Sequence, residues 1–165
     1  LVLNNNPAVL PDIICSLPDI KCVDKSIDTI LMTEVIEYIC DVQKLISEMS
    51  RVLKDDGLAY VSSPFLNPLH GDSESDFYRY TESGLKKIFS EHFEIVRLER
   101  MGSIYSVYGD TLLSYASTYP SLFIKVVSKI IRLSAPIMIL AENILFGKNT
   151  HINTGFWLVL KKKSD

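Results

Sequence analysis

The chain lacks most of the features that would commit it to a specialised environment. Its 165 residues hold three cysteines, Cys15, Cys22 and Cys40. That odd number, without the paired spacing of a metal site or a disulfide framework, fits a reducing compartment. Seventeen basic residues stand against twenty acidic ones, a net charge of −3, so the broad basic surface of a nucleic-acid binder is missing. No charged segment followed by an apolar one opens the chain in the manner of a signal peptide. No uncharged apolar run reaches the roughly 20 residues that a membrane-spanning helix needs. Internal repeats and low-complexity tracts are also absent. What is present is a hydrophobic share of 47% in a chain the length of one domain, enough to bury a core.

The stretch from Ile27 to Phe65 carries the clearest pattern. Ile27 to Met32 is a short apolar run broken by Asp28 and Thr29, which predicts a parallel strand buried on both faces. Thr33 and Glu34 are the polar break at its end. Asp41 then precedes Val42, Leu45, Ile46, Met49, Val52 and Leu53, a helical stripe with a cap in front and Lys54 in its last turn. Asp55-Asp56-Gly57 predicts a turn in which Gly57 takes positive φ. Leu58 to Ser62 predicts a second buried strand, stopped by Pro64. The unit is strand, crossover helix, strand.

Shorter signals surround it. Asn4-Asn5-Asn6-Pro7 reads as a loop, and Asp12 to Cys15 as a short strand. Thr81 caps a helix whose stripe is Leu85, Ile88 and Phe89. Phe93 to Leu98 alternates like a partly exposed strand, with His92 a structural residue at the junction. Gly155 to Leu160 is a strand that runs into Lys161-Lys162-Lys163. The loop after Phe65 gathers His70, Asp72, Asp76, Tyr78, Arg79 and Tyr80 beyond the C-terminal end of a strand, where open α/β sheets bind ligands. A plainer reading pairs Asp76 with Arg79 and packs Phe77 and Tyr80 inward. His70, Asp72, Glu74 and Asp76 lack the fixed ligand spacing of a metal-binding loop, so no metal is expected.

From Ile104 to Phe146 the character changes. Residues 104–118 predict a helix with Ile104, Tyr108, Leu112 and Tyr115 on one face. Leu122 to Leu133 predicts a second, with Lys125, Lys129 and Arg132 along one side, and Pro136 should kink or end it before a third from Ile137. This segment reads as an insertion forming a lid or a homodimer face. A basic-sided hairpin lying on an anionic membrane is the second choice, because an interfacial helix should show a wider polar side than three cations with Ser121 and Ser128.

Several of these residues stand in the order of a known family. Ile27-Asp28, Thr33-Glu34-Val35-Ile36-Glu37-Tyr38, Arg51 to Gly57, Ser63-Pro64-Phe65, His70-Gly71 and Asp76 to Thr81 together resemble class I S-adenosylmethionine-dependent methyltransferases. The resemblance implies an α/β, Rossmann-like sheet, mostly parallel, whose antiparallel last strand inserts between the fifth and sixth. Residues 1–165 would be one methyltransferase-like domain, with strands near 12–15, 27–32, 58–62, 93–98 and 155–161 in one sheet. It implies S-adenosylmethionine as cofactor, held near Ser16, Leu17, Thr33 and Glu34, with Leu17 covering the adenine ring. Ser16 stands where an aspartate is common, and Tyr38 where a histidine is usual. The implied reaction is cytoplasmic methyl transfer to a small-molecule or glycan-like acceptor, with His70 as base, Asp76 and Arg79 orienting the acceptor, and Tyr78 walling the site. No GxGxG occurs. The family's first two strands are therefore expected upstream of Leu1 or from elsewhere, leaving a gap between its third and fourth. These departures also support a second reading, an inactive methyltransferase-like interaction subunit.

Overall fold

Asp41 starts the central helix: its carboxylate accepts the Lys44 N–H at 3.0 Å. Helix α1 spans Val42–Val52 in the computed structural model, which describes all residues except 1, 5, 7, 9, 70–73, 119–120, 148–151 and 164–165. It buries Leu45, Ile46, Met49 and Val52, as the stripe requires. The helix links β3 (Ile27–Thr33) to β4 (Leu53–Pro64), which pair in parallel up to Thr33 opposite Ser62. Two further strands, β5 (Phe93–Met101) and β6 (Gly155–Lys162), complete a sheet of order β3–β4–β6–β5. β6 lies between β4 and β5 and runs antiparallel to both, as expected of the last strand. β3, β4 and β5 therefore point the same way, and Thr33, Pro64 and Met101 end on one edge.

Thr81 caps α2 (Glu82–Phe89) by accepting the Gly84 N–H at 3.1 Å. Leu85 and Phe89 of α2 join Leu45, Ile46 and Met49 of α1 and Phe156, Leu158 and Leu160 of β6 in one core cluster. Each such side chain contributes about 1.5–3 kcal/mol on burial. Exposed ion pairs such as Lys54–Asp28 at 2.6 Å add little beside that. Arg51 has a more specific job. It donates to the carbonyls of Ile20 and Cys22 at 2.8 and 2.9 Å and pairs with Glu48, clamping the loop before β3 onto α1.

Several expectations are corrected. The strand near residue 13 does not join the larger sheet. β2 (Ile13–Ile14) pairs in parallel with β1 (Leu3–Asn4) in a separate two-stranded sheet. Its local partner is held by Val2 N–H donating to the Asp12 carboxylate at 2.7 Å. Among the described residues β3 is therefore the outermost strand of that sheet, with Met32 buried and Leu31 69% exposed. β4 begins directly after α1, so Lys54 belongs to a strand, and Arg51 is the basic residue of the last helical turn. In the turn that follows it is Asp56, at φ 64°, that takes the left-handed conformation. Gly57 is needed for space instead, since a Cβ there would lie 2.8 Å from the Lys54 carbonyl oxygen. Across the sheet Lys162 is buried, and its Nζ donates to the Leu53 carbonyl at 2.8 Å.

The remaining elements are α3 (Ile104–Thr118) and α4 (Leu122–Phe146), which form a helical hairpin. α4 runs unbroken through Pro136, against the expectation of two helices. The proline frees one carbonyl a turn earlier, at Arg132, and both residues lie on the exposed side, where water can satisfy it. Glu142 fastens the hairpin by accepting the N–H groups of Ile104 and Tyr105 at 2.7 and 3.1 Å, at the positive end of α3. The Tyr105 hydroxyl reaches across to the Ile131 carbonyl at 2.9 Å.

Candidate functional site

The edge at which β3, β4 and β5 end begins with a strained turn. Glu34, immediately after β3, holds φ 50°, a conformation that costs a non-glycine residue roughly 1 kcal/mol. Ser62 stabilises it from β4. The Glu34 N–H donates to the Ser62 hydroxyl at 3.0 Å, and that hydroxyl donates to the Glu34 carboxylate at 2.7 Å. This buried serine was not among the predicted site residues. Its signal was a hydroxyl pair, Ser62-Ser63, directly after the apolar run 58–61. Thr33 is exposed beside Glu34, whose carboxylate keeps acceptor capacity beyond the one hydroxyl. Ser16 and Leu17 follow the smaller sheet's second strand, with Ser16 exposed and Leu17 half-buried against the main core. The predicted cofactor residues thus sit on two sheets. No hydrogen bond among the described residues joins the two pairs.

The loop after β4 is docked on the turn after β3. Residues Ile36–Tyr38 form a single 3-10 turn with Glu37 fully buried, and the Glu37 carbonyl accepts the N–H groups of Phe77 and Tyr78 at 2.9 and 3.3 Å. The Tyr78 hydroxyl donates to the Cys40 carbonyl at 3.1 Å. Asp76 and Arg79 form a two-pronged ion pair, with Arg79 Nη2 to Asp76 Oδ2 at 2.7 Å and the Asp76 side chain 0% exposed. That hydrogen bonding holds the Arg79 pKa above the guanidinium range. Burial, with the Asp76 and Glu37 carboxylates nearby, likewise raises the Tyr38 phenol.

Tyr80 stacks against Tyr78 with ring centroids 5.5 Å apart, and burial pushes its phenol up to about 12. Its hydroxyl is buried without a hydrogen-bond partner among the described residues. Phe77, expected to pack inward, is 50% exposed at the same edge. Its own N–H is tied to the Glu37 carbonyl. His70 and Asp72 lie outside the described residues. Among the described residues no cluster of metal-ligating side chains occurs. Asp76, Tyr78 and Arg79 are therefore brought together in a loop whose two charges neutralise each other and whose aromatic rings remain available.

Residues 4–61 match the family model of a methyltransferase domain. No curated protein matches the sequence. Several solved structures share the fold. A protein provisionally described as a sarcosine dimethylglycine methyltransferase from Galdieria sulphuraria is 20% identical with a TM-score of 0.54, and 95% of this chain covers 62% of that one. The [4+2]-cyclase SpnF is 15% identical with a TM-score of 0.55, 92% of this chain covering 55% of its own. Geranyl diphosphate C-methyltransferase from Streptomyces coelicolor A3(2), solved with Mg2+, geranyl diphosphate and S-adenosyl-L-homocysteine, is 13% identical with a TM-score of 0.54, covering 91% and 52%. The chain spans between about half and two thirds of their lengths, and at these identities the likeness shows the Rossmann-like α/β fold.

Proposed function

We propose that the protein transfers a methyl group from S-adenosylmethionine to a small-molecule or glycan-like acceptor. The observation that carries this reading is the methyltransferase-domain match over residues 4–61, which ends inside β4 of a sheet with an antiparallel strand between β4 and β5. A fold neighbour holding S-adenosyl-L-homocysteine supports the choice of cofactor. The residues present fit an adenosine: Leu17 offers a half-buried apolar surface, Ser16 and Thr33 offer exposed hydroxyls, and Glu34 offers a free carboxylate valence.

When bound, S-adenosylmethionine supplies an electrophilic methyl on a sulfonium for in-line displacement by an oxygen, nitrogen or carbon nucleophile. The chain's own task is alignment. Asp76 fixes Arg79, and together with the Glu37 carbonyl they hold the 74–81 loop against the strand edge. Tyr78 walls the acceptor's side, Arg79 orients the acceptor, and His70 takes a proton where the nucleophile carries one. The second reading, a methyltransferase-like subunit without activity, is favoured by Ser16 and Tyr38 standing where the family commonly has an aspartate and a histidine.

Calorimetric titration with S-adenosylhomocysteine separates the two. Residues 1–165 are expected to bind weakly or not at all, and a longer form carrying a glycine-rich strand to bind in the micromolar range, with Leu17→Asp abolishing it. Micromolar binding by residues 1–165 contradicts the need for that strand. A longer form that carries the strand and shows no binding favours the inactive subunit.

A further inference from the structure

The α3–α4 hairpin turns a continuous apolar surface to the outside. In α4, Leu122, Val126, Ile130, Leu133, Ile137 and Ile144 are all exposed, Leu133 at 70% and Ile144 at 74%. At 100° per residue these six fall within an arc of about 80°. The opposite side of α4, through Ile131, Ala135 and Glu142, packs on α3. Tyr108, Leu112 and Tyr115 of α3 are exposed too. A patch of this extent marks an interaction site.

Charge says what covers it. Lys125, Lys129 and Arg132 run along one border of the α4 stripe, all exposed. The single acidic residue of α4, Glu142, is buried under α3. Asp110 of α3 lines, together with Arg132, a cavity of about 380 Å³ between the two helices. Antiparallel two-fold pairing with a second copy would bring both cation rows onto one rim, where α4 itself offers no exposed carboxylate to neutralise them. An anionic lipid surface supplies that neutralisation. Tyr108 and Tyr115, both exposed, are also of a residue type enriched where a bilayer meets water. Part of the remaining α4 circumference, through Ile131 and Glu142, meets α3 and needs no solvent-facing groups. Among the described residues no helix is long and apolar enough to cross a membrane. That is consistent with a hairpin lying in the interface plane.

We propose that the α3–α4 hairpin docks the protein, apolar stripe down, on the surface of an anionic membrane. The test is co-sedimentation of residues 1–165 with vesicles of phosphatidylcholine alone and of phosphatidylcholine with phosphatidylserine, alongside sedimentation velocity without lipid. Pelleting with the anionic vesicles that weakens as salt is raised is the expected result. Lys125→Gln with Lys129→Gln should lower partitioning by roughly thirtyfold, and Ile130→Asp with Leu133→Asp should abolish it. Both pairs of positions are exposed, so an unchanged circular dichroism spectrum certifies the fold. Absence of pelleting overturns the proposal. So does equal binding to neutral vesicles, or binding that survives the double aspartate variant. A dimer that Ile130→Asp dissociates, without lipid binding, assigns the surface to a second copy.

Discussion

Helices α1 and α4 are both amphipathic and turn their apolar sides in opposite directions. The α1 stripe of Leu45, Ile46, Met49 and Val52 lies under β4 and β6 and is wholly enclosed. The α4 stripe from Leu122 to Ile144 faces outward, although its residues are as large and as apolar. Periodicity reveals that a helix has two sides. It does not reveal what covers either one. For α1 the cover comes from β4, which follows it directly, and from α2 and β6 much later in the chain. For α4 nothing among the described residues covers the stripe.

The contrast can be broken by substitution. Leu45→Ala removes a fully enclosed side chain and should cost about 2–5 kcal/mol in urea unfolding. Leu133→Ala, the matching change on the hairpin, should stay within roughly 0.5 kcal/mol. Comparable losses at both positions would mean that the α4 stripe is buried in solution.

Next in size is Gly57→Ala at the start of the buried strand. The new Cβ would meet the Lys54 carbonyl at 2.8 Å and the Leu53 side chain at 3.0 Å, so a loss of about 1–3 kcal/mol is expected. An unchanged urea midpoint would show that the turn has room to give.

A smaller effect sharpens the hairpin's side of the comparison. Glu142→Gln should cost about 1 kcal/mol by weakening the hold on the first turn of α3. Burial opposes ionisation of Glu142, but the Tyr105 N–H, the Ser103 hydroxyl and the Ile104 N–H together outweigh it and keep the carboxyl below its ordinary 4.5. A depressed folded-state pKa means stability that is present above 4.5 and lost as the pH falls through the lower folded value. The wild-type and Glu142→Gln unfolding curves should therefore converge on acidification. A gap that stays constant at low pH would rule that carboxylate out as the source.

Smallest of all is the titration of Tyr80. With its phenol pushed up to about 12 from an ordinary 10.0, it contributes fully below pH 10 and loses that contribution as the pH rises through 12. Ultraviolet difference titration of wild type against Tyr80→Phe should show no Tyr80 ionisation near pH 10. A step there would place the hydroxyl in water.

Most of the larger sheet was legible from residues 27–65 and 155–160, because each strand there alternates or runs apolar between clear punctuators. Among the described residues β3 stands at the edge of that sheet, where the sequence reads as an enclosed strand. Ile27, Ile30 and Met32 fit an inner strand as well as an edge strand, and only pairing decides between them. The sequence also hides β1, whose Asn4-Asn5-Asn6-Pro7 run reads as pure loop. That Thr33, Glu34, Asp76, Tyr78 and Arg79 follow strands was legible in the sequence. The Ser62 hydroxyl and the Glu37 carbonyl were not. Their roles depend on contacts 28 and about 40 residues away in sequence, which no local pattern carries.

One further consequence concerns the order of synthesis. β6 lies between β4 and β5, contributes Phe156, Leu158 and Leu160 to the core, and sends Lys162 back to the carbonyl of Leu53. Until residues 155–162 leave the ribosome, β4 and β5 have no strand between them, and α1 and α2 have no complete surface to pack on. The nascent chain should therefore stay protease-sensitive through the emergence of α4 and become resistant in one late step.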